Sequence, residues 1–263
     1  MFKTIFLKTL FEKRWMTLWW TLSSVALTVF IVLFFPALKD SFGEAVKQIP
    51  ESMRSLIGSA EDYQQLGGYL TIQVFQQMIF LPIILGVILA TGLLAGDENE
   101  GTLQTLLTQP VSRSRVYLHK LAASATIVGL VTFGFFFGSW LGALIIGEPI
   151  NLWRLGQATL MAWVVSMAIS VLGFAVAAIT GRRALAGSVA GAYAFAMYVV
   201  SSLVESVKAL RPLDYLSPFH YFNHPSPLKA AFDYGDMLVL LAAGAIFIIL
   251  GYIIFIRRDI YQR

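Results

Sequence analysis

The sequence predicts an all-α, polytopic membrane protein with six transmembrane helices, an N-terminal interfacial helix and a short helix between spans 2 and 3. Three observations carry this reading. Apolar residues make up 57% of the 263 positions and charged ones only 13%, with a mean hydropathy of +0.73, a composition foreign to soluble domains. Six uncharged stretches run from Trp15 to Leu38, Tyr63 to Gly96, Leu121 to Gly147, Leu155 to Gly181, Ala184 to Val204 and Met237 to Ile256. Each reaches the roughly 20 helical residues that cross a bilayer core. The charges between them are also biased: the termini and the even-numbered loops carry 12 of the 19 bases against five acids. Positive-inside bias places that set, and with it both termini, in the cytoplasm. Residues 1–263 then form a single transmembrane domain, with spans near 17–38, 74–95, 121–146, 155–180, 184–204 and 237–256.

Residues 1–14 hold no apolar run of signal-peptide length, so span 1 is expected to be retained. Phe6, Leu7, Leu10 and Phe11 share a helical face with Lys8 and Glu12 opposite, which suits a helix in the inner headgroup region. A plain extension of span 1 fits the same residues. Trp15, Trp19 and Trp20 mark that interface. The 39–72 loop lies outside; Leu38, Phe42, Val46, Ile49, Met53 and Leu56 recur every three or four residues. It reads either as a membrane-resting connector or as a cap on a transport path.

Span 2 opens with Gln73, Gln76 and Gln77 and contains Pro82. Glutamines three and four apart share a face that lipid would penalise, and a proline frees a carbonyl and bends a helix. A water-lined path suits both, as does hydrogen bonding between helices near the outer headgroups. In span 3, Gly134, Gly138 and Gly142 form a stripe for close helix packing. Span 5 is rich in Ala, Gly and Ser from Ala184 to Ala196, which suits burial near an interface with a second subunit. Residues 205–235 form an external loop with four prolines; Ser217-Pro218 is a helix start, and Glu205, His220 and His224 read as solvated surface groups.

Between spans 2 and 3 lies a loop of different character, residues 97–113, running Asp97-Glu98-Asn99-Glu100-Gly101-Thr102-Leu103 through Leu106-Leu107 to Pro110-Val111-Ser112-Arg113. Gly101 suits a turn, Thr102 an N-cap, and Pro110 a helix stop. Leu103, Leu106 and Leu107 fall at i, i+3 and i+4, giving an exposed leucine face. Ser112 caps the next helix. An apolar face on a water-facing loop calls for a partner, although an interfacial helix that only joins two spans would use the same residues.

From Glu98 to Lys120 this stretch resembles the cytoplasmic loop of type-2 ABC (ATP-binding cassette) transporter permeases: acids, Gly-Thr-Leu, a paired leucine and Pro-Val-Ser-Arg in that order. His119 departs from the pattern, where a small residue commonly precedes the lysine. Leu-Ser-Pro-Phe at 216–219 and the terminal Arg-Arg-Asp look like the same family's C-terminal half. The resemblance implies an elbow helix before span 1 and a coupling helix in the 97–113 loop that seats in a separate ABC ATPase subunit. It also implies a second permease subunit, identical or homologous, and an exporter of the plasma membrane with ATP and Mg bound by the partner chain. The residues it nominates for ATPase coupling are Glu98, Glu100, Gly101, Thr102, Leu103, Leu106, Leu107, Pro110 and Arg113; the polar face and proline of span 2 separately make Gln73, Gln76, Gln77 and Pro82 path-lining candidates.

The sequence holds no G-x-x-x-x-G-K-[ST] phosphate loop, no H-E-x-x-H and no cysteine. His119, His220 and His224 fall on opposite sides of the membrane by the charge rule, so they form no single metal site. No catalytic residue, cofactor, metal or nucleic-acid partner is expected in this chain. Span interiors nearly lack Asp and Glu, the groups that proton-driven transporters keep there. Energy is therefore expected from a separate subunit. A membrane scaffold that holds a soluble partner through the same loop, without moving a solute, is the alternative.

Overall fold

The computed structural model describes residues 4–39, 64–103, 111–204, 207–223, 228 and 232–258. Among them every regular element is helical. Helix α1 is Ile5–Glu12, α2 Arg14–Leu33, α3 Leu66–Asn99, α4 Arg113–Ile146, α5 Leu152–Thr180, α6 Arg183–Leu203, α7 Arg211–Asp214, α8 Pro218–Asn223 and α9 Tyr234–Arg257. Six of these, α2 to α6 and α9, are long and apolar enough to cross a membrane, which agrees with the six spans expected from the charge gaps.

Local chemistry explains where they begin and end. Ser112 Oγ accepts from Arg115 N and starts α4; Asn151 Oδ1 accepts from Arg154 N and starts α5. Gly147 and Gly181 close those two helices with φ of +74° and +64°, a left-handed cap that glycine takes without strain. Inside the spans, hydroxyls bond to their own helix: Thr91 to Val87 O, Thr132 to Val128 O, Ser166 to Ala162 O and Ser170 to Ser166 O. These side chains thus enter an apolar medium with their polar atoms satisfied.

Helix α5 is the centre of the bundle and packs against α9, α3, α6 and α4. The closest pairing is α4 on α2. Gly134, Gly138 and Gly142 of α4 rest against Ser24, Thr28 and Val32 of α2, and Ser24 Oγ donates across the contact to Val131 O at 3.0 Å. A Cβ at Gly138 would lie 2.8 Å from Thr28 Cβ and from Val25 O. The stripe foreseen as a packing surface is one.

Helix α1 is separate from α2: Lys13 leaves the helical region (φ −94°, ψ 6°) and α1 turns to pack on α4. It buries Thr9 and leaves Leu7 and Phe11 about half exposed. The Arg14 guanidinium lies 3.7 Å from the centre of the Phe11 ring, so this base folds over the apolar side rather than disrupting it.

Helix α3 is not a regular α-helix. Residues Thr71–Gln76 and Gly92–Gly96 are π-helical. Beyond the first of these Pro82 breaks the ladder again: it has no N–H to give Met78 O, which is taken instead by Leu81 N at 2.9 Å. The second lies where α3 meets the 97–113 loop.

Candidate functional site

The chain segments that meet at the loop end of the bundle are the end of α3, the start of α4, the α5–α6 turn and the end of α9. Ile5 of α1 and Phe255 of α9 pack in one apolar cluster there with Leu103, so both ends of the described chain lie on this side. After the π turn, Asp97–Asn99 add one helical turn, and Gly101 takes φ +73°, the reversal expected of it.

That reversal corrects two expectations. Leu103 is not on an exposed face: it is fully buried with Leu94, Val116, Tyr117, Phe174 and Phe255. The turn at Gly101 carries the chain back onto the bundle, and removing a leucine side chain from water favours that course by about 1.5–3 kcal/mol. Thr102 is not an N-cap either; it is already helical, and its exposed hydroxyl donates to Asp97 O at 3.0 Å. Glu100 is exposed. Leu106, Leu107 and Pro110 lie outside the described residues.

The acids before the turn are paired with bases from other helices. Lys120 of α4, whose side chain is 3% exposed, gives its ammonium to the Asp97 carboxylate and to Leu93 O in the π turn. Glu98 pairs with Arg258, and both side chains are largely buried. Arg113 donates to the main-chain carbonyls of Arg258 and Ile256. Two further bonds fasten α9 to α4: Tyr117 Oη to Ile248 O and Tyr252 Oη to Ser114 Oγ, both 2.9 Å.

A buried ammonium depends on its partner, because an unpaired charge in a dry site costs about 3–5 kcal/mol. Asp97→Ala is therefore expected to lower stability by about 3 kcal/mol, and adding Lys120→Met is expected to return most of it. Thermal unfolding in detergent of the single and double variants checks this. Equal losses in both would show that Asp97 holds the fold by some other contact.

The candidates Gln73 and Gln76 of α3 are half-buried and Gln77 is exposed, while Pro82 is buried in the core. They lie beside the first π turn, far along the helix from the loop. Near this other end of the bundle a second polar group forms. Asp214 of α7 is buried and accepts from Ser201 Oγ of α6, while His220 Nδ1 of α8 lies 2.5 Å from its other oxygen. Ser217 Oγ accepts from Phe219 N and donates to Met197 O, so the predicted helix start at Ser217-Pro218 is present. His220 is thus not the solvated surface residue expected: prolines 212 and 218 fold the segment back so that Asp214 and His220 face the top of α6. Glu205 and His224 lie outside the described residues.

Lys120 and Arg258 were not foreseen as part of this site. Each left a trace in the sequence: Lys120 is the base that borders the uncharged run starting at Leu121, and Arg258 is the second of the Arg257-Arg258 pair that follows span 6. Nothing in their spacing names Asp97 and Glu98 as partners.

Six apolar helices long enough to cross a membrane, an irregular second span and the ion pairs that tie the end of that span to α4 and α9 describe a polytopic membrane protein. The chain belongs to the ABC-2 family of transporter proteins: the family's sequence model matches residues 7–260. Among curated proteins, none matches the sequence.

Proposed function

We propose that this protein is the permease subunit of an ABC exporter, embedded in the plasma membrane with both termini in the cytoplasm. Two such chains, identical or homologous, form the path. Separate ATPase subunits, which bind ATP and Mg, dock on the loop between α3 and α4. The carrying observation is the mounting of the two helix ends that flank that loop: Asp97, Glu98 and Arg113 are held by Lys120 and by the end of α9. A force delivered to ends held in this way passes into α4 and α9 as well as α3. The exposed Glu100 and Thr102, with Leu106, Leu107 and Pro110 beyond them, are the residues offered to the ATPase. Helix α1 serves as the elbow, and the irregular stretch around Gln73, Gln76, Gln77 and Pro82 lines the path. Lipids, drugs, peptides and ions are all compatible with that lining.

The family match and the lack of any phosphate-binding loop in this chain support an external energy source. Affinity purification of the tagged chain from its native membrane tests the reading. An ABC ATPase is expected to accompany it, with hydrolysis that responds to the permease. A chain that brings down a soluble partner without ATP hydrolysis would instead be a scaffold.

The second copy is supported by α6. Ala184, Ser188, Ala192 and Ala196 form a small-residue stripe at four-residue spacing that remains exposed on the single chain, and nothing lies within 4 Å of a Cβ built at Gly191 beside it. Such stripes let helices approach closely in lipid. Gly191→Leu is expected to leave the single chain folded while weakening the pair at least about tenfold, the effect of some 1.4 kcal/mol. Cross-linking in native membranes measures this, and an undiminished dimer would move the interface elsewhere.

A further inference from the structure

We infer that the Glu98–Arg258 ion pair, seated on Gly181, is a positioning device that makes the two ends of the 97–113 loop and helix α9 move as one body. The inference rests on the ABC permease reading and extends it to the helix most distant from the loop in sequence.

The two residues are 160 positions apart, yet each side chain is less than a fifth exposed. Arg258 Nη2 donates to Glu98 Oε2, and burial strengthens this charge-assisted bond by removing competing water. The shelf beneath is the α5–α6 turn. A Cβ on Gly181 would fall 2.5 Å from an Arg258 guanidinium nitrogen and 2.6 Å from Glu98 Oε1, so a larger residue there would push the paired side chains out of their present positions. The left-handed φ of +64° at the same residue requires glycine independently.

A second contact makes the joint stiff. Arg113, the first residue of α4, donates to the carbonyls of Ile256 and Arg258 and so grips the main chain of α9 on either side of Arg257. Helix α9 otherwise packs mainly on α5. Its end is thus joined directly to both ends of the loop, by Glu98 on the α3 side and Arg113 on the α4 side. Chain connectivity alone would carry a stroke only into α3 and α4. The ion pair and the Arg113 grip carry it into α9 and, through the Gly181 shelf, to the α5–α6 turn.

The full chain, purified with its ATPase, tests this directly, and its natural lack of cysteine gives a clean background for labels. Spin labels at Asn99→Cys and Leu250→Cys, both exposed positions, report the separation of the loop from α9. Labels at Asn99→Cys and Leu22→Cys report the stroke itself. With ATP and orthovanadate added, the stroke pair is expected to move by about 2 Å or more, the scale of helix shifts in such transitions. The loop–α9 pair is expected to stay fixed. In Arg258→Gln the loop–α9 separation is expected to change on trapping, and in Arg258→Lys, which keeps the charge, to change less. Glu98→Gln repeats the test should Arg258→Gln fail to fold. A loop–α9 distance that shifts as much in the parent as in Arg258→Gln overturns the inference while leaving the permease reading intact. A preparation with no ATPase, or a silent stroke pair, overturns the reading and the inference with it.

Discussion

Gly138→Leu is expected to prevent α2 from docking on α4 and to leave little folded protein. At Gly138 a single added Cβ would already lie 2.8 Å from Thr28 Cβ and 2.8 Å from Val25 O, and one of these neighbours is backbone. Leucine adds three more carbons to a site that lacks room for the first. Overpacking costs about 1–3 kcal/mol where neighbours can shift. Here they cannot shift singly, because Gly134 and Gly142 hold the same register against Ser24 and Val32. The helices must separate along the whole contact, which also breaks the Ser24–Val131 hydrogen bond. In lipid, close packing is itself the force that joins helices, so a separated pair has no hydrophobic effect to bring it back. The loss is expected to exceed 3 kcal/mol, the upper part of the overpacking range, read as a collapse in folded yield after detergent extraction. Gly156→Ala is the matched control, since its Cβ would lie 3.9 Å from the nearest atom, Phe136 Cε2, and stability is expected to hold. Normal yield of Gly138→Leu would show that α2 and α4 are not held by the stripe.

The other large effect is expected at Leu106. Under the proposed function, Leu106→Glu places a charge in the apolar contact with the ATPase, and a central interface residue is worth about 2 kcal/mol or more. That corresponds to about thirtyfold in affinity, seen as loss of the ATPase from the purified complex while the permease keeps its thermal stability. Leu103 should behave in the opposite way. It is fully buried, so Leu103→Ala is expected to cost about 2–5 kcal/mol of stability, with any loss of ATPase following from the damaged mount. The pair separates docking from folding. If Leu106→Glu unfolds the permease instead, Leu106 belongs to the same core as Leu103; if the variant retains its ATPase at full strength, the docking contact lies on other residues.

The outline of this protein is plain in its residues because a bilayer reads composition locally. An uncharged run of 20 residues has few alternatives to a spanning helix, since only a helix satisfies its backbone within the segment. The spans, the caps at Ser112 and Ser217, the turn at Gly101 and the disturbance around Pro82 follow from side chains acting on near neighbours, and the regular spacing of Gly134, Gly138 and Gly142 marks a packing face although its partner, α2, lies far off in sequence. Helical spacing could group Leu103 with Leu106 and Leu107, but it could not say which way that face points. The orientation depends on how far Gly101 turns the chain back and on a hole between α3, α4, α5 and α9 that exists only once they have packed.

The same limit explains the charged groups. Asp97, Glu98, Lys120 and Arg258 are visible as charges, and Asp214 and His220 as polar residues in a loop. Their pairing joins positions from 6 to 160 apart, and no periodicity connects a residue at the end of span 2 with one after span 6. Sequence alone decided that the chain crosses a membrane six times and to which family it belongs, because hydropathy and short motifs are properties of contiguous residues. Only the tertiary structure decided which charges neutralise one another and that the loop is anchored to α9, because burial makes an ion pair and burial is created by helices that the sequence keeps far apart.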